Sequence, residues 1–396
     1  MAWNLNAELT DLETRTLRRR LRVLESAQGV LVKLEGREVV NFSSNDYLGL
    51  AGSAELKAAF VEGIGRYGAG SGASRLVCGG LEPHRRLEEA LAVFKGTEAA
   101  LAFSSGFAVA LGTIPSLMGT GDVIILDKLC HASLVDAAKM SGATIRVFPH
   151  NHLGKLEKLL ASSSQARRML VVTESVFSMD GDVAALSEIV ALKDRFGAWL
   201  MLDEAHAVGV LGPQGRGLAA ALGLEQHVEL QMGTLSKALG LSGGYLAASR
   251  SVIEVLINKA RSFIYSTAPP PGLAHAACAA LQLIQSEEGD RRRARLRENL
   301  ALFGNAGPLQ SAIIPVIIGN EERAMQLSAR LLDEGFLVPA IRYPTVARGT
   351  ARLRVTLSAS HEAGQVEALA MHLRRAMAEL AAEQPAPPAS QSGETA

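Results

Sequence analysis

Trp199-Leu200-Met201-Leu202-Asp203-Glu204-Ala205-His206 and Gly233-Thr234-Leu235-Ser236-Lys237-Ala238-Leu239-Gly240 share one design: a short apolar run that ends on a polar stretch. Apolar runs of this length, closed by polar and small residues, read as buried strands. The first delivers a carboxylate at Asp203, the second an amine at Lys237. That pair points to pyridoxal phosphate, which needs an amine to hold its aldehyde as a Schiff base. It also needs a carboxylate to keep its ring nitrogen protonated, so that the ring accepts electrons. Lys237 lies among Thr234, Ser236, Ala238 and Gly240, small residues that leave room for a ring. Burial would lower its pKa, as imine chemistry requires.

Outward from these motifs the same alternation repeats. Apolar runs at Ala99 to Phe103, Val123 to Leu126, Thr144 to Phe148, Met169 to Thr173, Trp199 to Leu202, Leu230 to Met232 and Gly244 to Ala247 are separated by helical patterns. This predicts an α/β fold with a mostly parallel sheet covered by helices. Such sheets bind ligands beyond the carboxyl ends of their strands. Ser104-Ser105-Gly106, His131, Ser178, Asp203, His206 and Lys237 all fall there, so distant residues are expected to converge on one crevice.

A chain of 396 residues exceeds the size at which a single core stops growing, so two domains are expected. The division reads as an N-terminal helical segment and arm (1–45), a large domain (46–285), a smaller α+β domain (286–383) and a compositionally disordered tail (384–396). Leu9 to Leu24, crowded with Arg18, Arg19, Arg20 and Arg22, reads as a charged helix. Asn41 to Leu50 reads as a short strand breaking into a loop. After Pro269-Pro270-Pro271, Gly272 to about Arg297 reads as one long helix joining the domains. Ala312 to Ile318 and Ala351 to Leu357 are expected strands, and Glu321 to Glu334 and Glu362 to Ala382 expected helices.

Composition narrows the function. Lys plus Arg (40) equals Asp plus Glu (40), so no long-range field draws the protein to nucleic acid or an anionic membrane. Cys78, Cys130 and Cys278 are odd in number and lack metal-ligand spacing, which favours a reducing compartment such as the cytosol and no structural metal. No basic region followed by an apolar core opens the sequence, and the apolar stretch Ala99 to Leu126 is broken by serine, glycine and proline, so it reads as strand, helix, strand rather than a membrane span.

Rival motifs fail on context. Asp203-Glu204-Ala205-His206 spells a helicase motif, but the phosphate loop that an ATP-driven motor needs is missing. In a cofactor site, Asp203 would face the pyridine nitrogen and His206 the ring hydroxyl, the plainer alternative for His206 being a hydrogen-bonded core histidine. Ser104-Ser105-Gly106-Phe107 opens a helix whose free N–H groups could hold a phosphate, although Ser-Gly is also an ordinary cap. Gly68-Ala69-Gly70-Ser71-Gly72-Ala73 has the letters of a dinucleotide loop but comes after a helical pattern, so it reads as a flexible loop near the site. His131 could stack on the ring and move protons; a Ser-His-Asp hydrolase would need a Gly-x-Ser-x-Gly elbow, which does not occur.

Taken together, Asn41-Phe42-Ser43-Ser44-Asn45-Asp46-Tyr47-Leu48-Gly49-Leu50, the Ser-Ser-Gly-Phe at 104–107, Cys130-His131-Ala132-Ser133-Leu134, Glu174-Ser175-Val176-Phe177-Ser178-Met179-Asp180-Gly181-Asp182, the two motifs above and Ile264-Tyr265-Ser266-Thr267 resemble the α-oxoamine synthases. These are fold-type I pyridoxal-phosphate enzymes, and the resemblance runs from about residue 15 to 380. It implies a homodimer with shared active sites. Gly106, Phe107, Ser178, Asp203, His206 and Thr234 would contact the cofactor, Lys237 would bind it covalently and His131 would stack on it. Ser266 and Thr267 would reach the phosphate in the other subunit. Arg354 would grip the amino-acid carboxylate, and Arg18, Asn45, His131 and Thr350 would contact substrate. The stretches 41–50, 177–182, 264–267 and 344–354 favour a member that condenses L-alanine with a pimeloyl thioester, carried on coenzyme A or acyl carrier protein. Tyr343-Pro344 and Gly243-Gly244-Tyr245 are shared with glycine C-acetyltransferase and 5-aminolevulinate synthase, which stay open as alternatives. A non-catalytic scaffold subunit is disfavoured by the presence of Lys237.

Overall fold

The seven apolar runs between 99 and 248 become one sheet in the computed structural model, which describes residues 3–15, 17–307 and 309–382. The hairpin β1 (Leu31–Leu34) and β2 (Arg37–Asn41) precedes that sheet, its turn made by Glu35 and Gly36, both at positive φ. The sheet strands are β3 (Ala99–Phe103), β4 (Val123–Asp127), β5 (Thr144–Phe148), β6 (Met169–Glu174), β7 (Trp199–Asp203), β8 (Leu230–Thr234) and β9 (Gly244–Ala248). Their spatial order is β3-β9-β8-β7-β6-β4-β5. Only β9 runs against its neighbours, so six strands point their carboxyl ends to one edge and β9 brings its first residue, Gly244, to that same edge.

Both faces of the sheet are covered, which explains why its strands are continuously apolar rather than alternating. Leu200, Leu202, Ile125 and Val171 pack with helices Glu82–Lys95, Leu186–Phe196 and Pro271–Gln285 on one face. Met201, Leu230, Ile124 and Leu246 pack with helices Gly106–Leu117, Ala132–Ser141 and Arg250–Lys259 on the other. Burying one such side chain contributes about 1.5–3 kcal/mol. Ala99 to Leu126 is accordingly strand, helix, strand, and no helix of the described residues is long and apolar enough to cross a membrane.

The later part of the chain adds β10 (Ile313–Gly319), β11 (Phe336–Leu337), β12 (Ala340–Ile341) and β13 (Ala351–Thr356). β13 lies between β10 and β12, and β11 pairs parallel with β2, so the N-terminal hairpin is stitched to the C-terminal residues. The stretch after β2 is pinned the same way: Phe42 donates its N–H to Leu337 O (3.0 Å) and accepts from Thr356 (2.9 Å), and its ring stacks on His361. Phe42, Tyr47, Leu48 and Leu50 are fully buried.

Two expected helices differ. The first ends at Thr14 rather than Leu24: four arginines between 18 and 22 would crowd like charges within a turn, and the chain instead runs irregularly from Leu17 to Val23. The long helix after Pro271 is two, Pro271–Gln285 and Glu287–Leu302. Ser286 adopts an extended conformation there and donates both its N–H and its hydroxyl to Leu283 O, while Arg293 takes up Ile284 O. Glu287, Glu288 and Asp290 then place negative charge at the start of the second helix, where its dipole favours it. The tail expected from Gln384 lies outside the described residues.

Candidate active site

The carboxyl edge of the sheet opens into a cleft of about 250 Å³. β3 brings Ser105, Gly106 and Phe107 to it, the turn after β4 brings His131, β7 brings Asp203 and His206, and β8 brings Thr234 and Lys237. These eight sequence-predicted residues therefore share one space. Ser105 caps the helix Gly106–Leu117 by accepting the Ala108 N–H (3.1 Å), so it is the ordinary cap that the sequence also allowed. The N–H groups of Gly106 and Phe107 have no partner within the helix and remain for a ligand. Gly244 makes this geometry possible: a Cβ there would lie 2.6 Å from Gly106 N.

Asp203 is buried at the end of β7, and the Ala205 N–H binds its Oδ1 at 2.9 Å. Burial pushes its pKa up, opposed first by the positive charge of Lys237. Lys237 shows the complement: burial lowers it to about 8, opposed by Asp203 and Glu174. Glu174 ends β6 directly opposite Asp203 in the parallel register, lines the cleft and accepts the His131 N–H. Burial first and the Asp203 charge second raise it to about 8. One amine thus faces two carboxyl groups in a low-dielectric pocket.

A hydrogen-bond chain leads away from that amine. Lys237 Nζ lies 2.7 Å from His206 Nε2, His206 Nδ1 lies 2.5 Å from the Tyr47 hydroxyl, and that hydroxyl donates to Asn45 Oδ1 at 3.2 Å. The Tyr47 hydroxyl thus bridges His206 and Asn45, and His206 bridges Tyr47 and the amine. Burial, then the Lys237 charge, holds His206 well below its usual pKa. Arg354 completes the chain by donating to Asn45 Oδ1 (3.1 Å), Ser178 O (2.6 Å) and the Thr356 hydroxyl (3.0 Å). It is 5% exposed and has no carboxylate among these partners. His131 receives the Ser133 N–H at Nδ1 (3.2 Å), with the Ser133 hydroxyl 2.8 Å away. Its ring is open to the cleft.

Other expected site residues lie elsewhere. Ser178 enters through its carbonyl, on Arg354, and is not among the residues lining the cleft. Arg18 pairs with Glu13 at 2.7 Å and the Thr350 hydroxyl bonds Ala347 O, so neither lines it. Ser266 and Thr267 sit on a segment bridged to Ser74, away from the cleft of their own chain, beside a Tyr265 that is 71% exposed. The glycine-rich loop 68–73 does not line the cleft either. It is tied down rather than loose, with the Ser71 hydroxyl on Pro269 O and the Ala268 N–H on Ala73 O. Sequence reasoning missed Tyr47 and Glu174 as functional residues. Glu174 had a signal, because it closes an apolar run just as Asp203 does.

The geometry fits the cofactor expected from the sequence: a buried carboxyl for the ring nitrogen, an amine of depressed pKa, an open imidazole face and free helix N–H groups for phosphate. Comparison with known proteins agrees. The chain matches the family described as aminotransferase class I and II over residues 37–373. It is 52% identical over 377 residues to an 8-amino-7-oxononanoate synthase of Geobacter sulfurreducens, covering 93% of this chain and 96% of that one. It is 46% identical over 387 residues to the enzyme of the same name from Anaeromyxobacter sp. (strain K), covering 96% and 97%. Serine palmitoyltransferase of S. paucimobilis, solved with a bound PLP–myriocin aldimine, superposes with a TM-score of 0.88 at 30% identity, covering 96% of this chain and 98% of that one. An 8-amino-7-oxononanoate synthase from Francisella tularensis gives 0.75 at 29%, covering 87% and 98%. The fold is that of the fold-type I transferases and the cofactor is pyridoxal 5'-phosphate. The chain belongs to the 8-amino-7-oxononanoate synthase family of pyridoxal-phosphate-dependent acyltransferases, within the class I and II aminotransferases.

Proposed function

We propose that this protein condenses L-alanine with a pimeloyl thioester, on coenzyme A or acyl carrier protein, forming 8-amino-7-oxononanoate and releasing carbon dioxide and the thiol carrier, a step of biotin synthesis. The observation that carries the reading is the chain Lys237–His206–Tyr47–Asn45–Arg354, which sets a base and a buried guanidinium with no carboxylate among its hydrogen-bond partners at two ends of one polar network. Pyridoxal phosphate, when bound, supplies an aldehyde that captures the amino group and a protonated ring that accepts the electron pair left on Cα.

This chain's residues do the rest. Arg354 binds the alanine carboxylate in place of one of its internal partners, with Asn45 beside it. Lys237, whose pKa burial lowers to about 8, takes the Cα proton in its uncharged form. Asp203 keeps the ring nitrogen protonated, and this electrostatic support is the largest catalytic contribution. His206 binds the ring hydroxyl, while Gly106, Phe107, Thr234 and Ser178 hold and flank the cofactor. His131 covers the ring and serves the later proton transfers, its pKa lowered by burial so that it is largely neutral. Residues 46–285 carry the cofactor and 286–383 contribute Arg354 and Thr350.

The protein works as a homodimer in the cytoplasm, with Ser266 and Thr267 reaching the phosphate of the partner's site and Arg18 and Thr350 meeting substrate. Exposed Leu5, Leu9 and Leu12 on the first helix, and exposed Tyr265, support an interface there. The test is turnover of L-alanine with pimeloyl-CoA or pimeloyl-acyl carrier protein beside glycine with acetyl-CoA. Preference for the first pair is expected; preference for the second would make it a glycine C-acetyltransferase.

A further inference from the structure

We infer that His150, which lies outside the cleft, is a positioning residue that sets the spacing between the loop carrying His131 and the loop that holds Arg354. The imidazole sits between two carboxylates. Its Nδ1 lies 3.1 and 3.3 Å from the two oxygens of Asp127, and its Nε2 lies 2.6 Å from Asp182 Oδ2. Neither carboxylate can donate when ionised, so both ring nitrogens must carry protons and the group is an imidazolium. Phe177 meets the ring edge-on, centroids 4.3 Å apart. Burial would lower the His150 pKa, but the bonds to Asp127 and Asp182 outweigh it and raise it to about 10.

Each carboxylate belongs to a working loop. Asp127 ends β4, is fully buried, and organises the turn toward His131 by accepting the Leu129 N–H (2.8 Å) on its side chain and the Cys130 N–H (3.1 Å) on its carbonyl. Asp182 closes the tight loop Phe177–Asp182, whose ends are joined by Phe177 N–H to Asp182 O (3.0 Å). The far side of that loop is held by two arginines of β13: Arg354 on Ser178 O, and Arg352 on Asp180 (2.6 Å) and Met179 O (3.2 Å). His150 and the arginines thus hold one loop from two sides. Removing the imidazolium leaves neutral Asn151 to bridge the two carboxylates, its N–H on Asp127 (3.0 Å) and its side-chain amide on Asp182 (3.4 Å) and Val183 O (3.2 Å), so the charge that draws the His131 and Ser178 loops together is lost.

This inference rests on Arg354 gripping the substrate carboxylate for half of its consequences; the His131 half does not. The test compares holoenzyme of the wild type with His150→Ala, His150→Gln and Asp182→Asn. The readouts are the dissociation constant of L-alanine from the change in cofactor absorbance, the dissociation constant of pyridoxal phosphate by fluorescence, and the melting temperature. We expect H150A to weaken both constants on the order of tenfold, as small displacements at a distance do, with H150Q recovering part of the loss. D182N should weaken alanine more than the cofactor. A lower melting temperature with both constants unchanged would overturn the inference, as would unchanged constants in H150Q and D182N if H150A does not fold. A wild type that ignores L-alanine would sink the substrate reading alone, and the cofactor constant would still decide the role of His150.

Discussion

The depressed pKa of Lys237 can be measured on the apoprotein. With a value of about 8, half of Lys237 is uncharged at pH 8, whereas a lysine at about 10.4 is then only about 0.4% uncharged. The uncharged fraction is therefore roughly a hundred times larger than in an ordinary lysine. Trace acetic anhydride, added over a range of pH, labels uncharged amines, and mass spectrometry compares the Lys237 peptide with exposed Lys57 as internal reference. The Lys237 labelling curve should turn over near pH 8. The cause is separable: burial lowers the value, while Asp203 and Glu174 pull it back up. Asp203→Asn removes one of those pulls, so the midpoint should fall further, by roughly one unit. A wild-type midpoint equal to that of Lys57, or a rise in D203N, would refute the reasoning.

Gly244→Ala places a Cβ against the backbone of Ser105 and Gly106, which cannot yield like a side-chain tip. Overpacking of this kind costs about 1–3 kcal/mol, and because it disturbs the helix start proposed to hold phosphate, pyridoxal-phosphate affinity should fall at least about tenfold by equilibrium titration. Unchanged affinity would remove phosphate from that helix. Arg354→Gln should raise KM for L-alanine roughly 30-fold or more, since losing one member of a buried charged pair costs about 2 kcal/mol or more. The cofactor should still bind, and an unchanged KM would place the carboxylate elsewhere.

Much of this site was legible because its chemistry sits where apolar runs stop. Asp203, Lys237 and Ser105 each stand at or just beyond the end of a buried strand, and an edge rich in carboxyl ends gathers them without further information. Tyr47 was not legible in that way. It lies in a loop whose position depends on pairing with β11 and β13, about 290 to 310 residues later, so no local pattern reveals that its hydroxyl meets His206. Glu174 closes a run like Asp203, but its partnership with Asp203 requires knowing that β6 and β7 are neighbours. The break at Ser286 was hidden because helix-forming residues flank it on both sides, and the stop shows in its extended backbone and in the N–H and hydroxyl bonds it makes to Leu283 O. Arg18 was placed at substrate by resemblance alone, and among the described residues its guanidinium pairs with Glu13.

The most direct measurement is reduction of the resting holoenzyme with borohydride, coupled to peptide mapping. The account predicts a single pyridoxyl group, on Lys237, and its complete loss in Lys237→Ala. A label on another lysine, or a purified protein that takes up no pyridoxal phosphate, would contradict it.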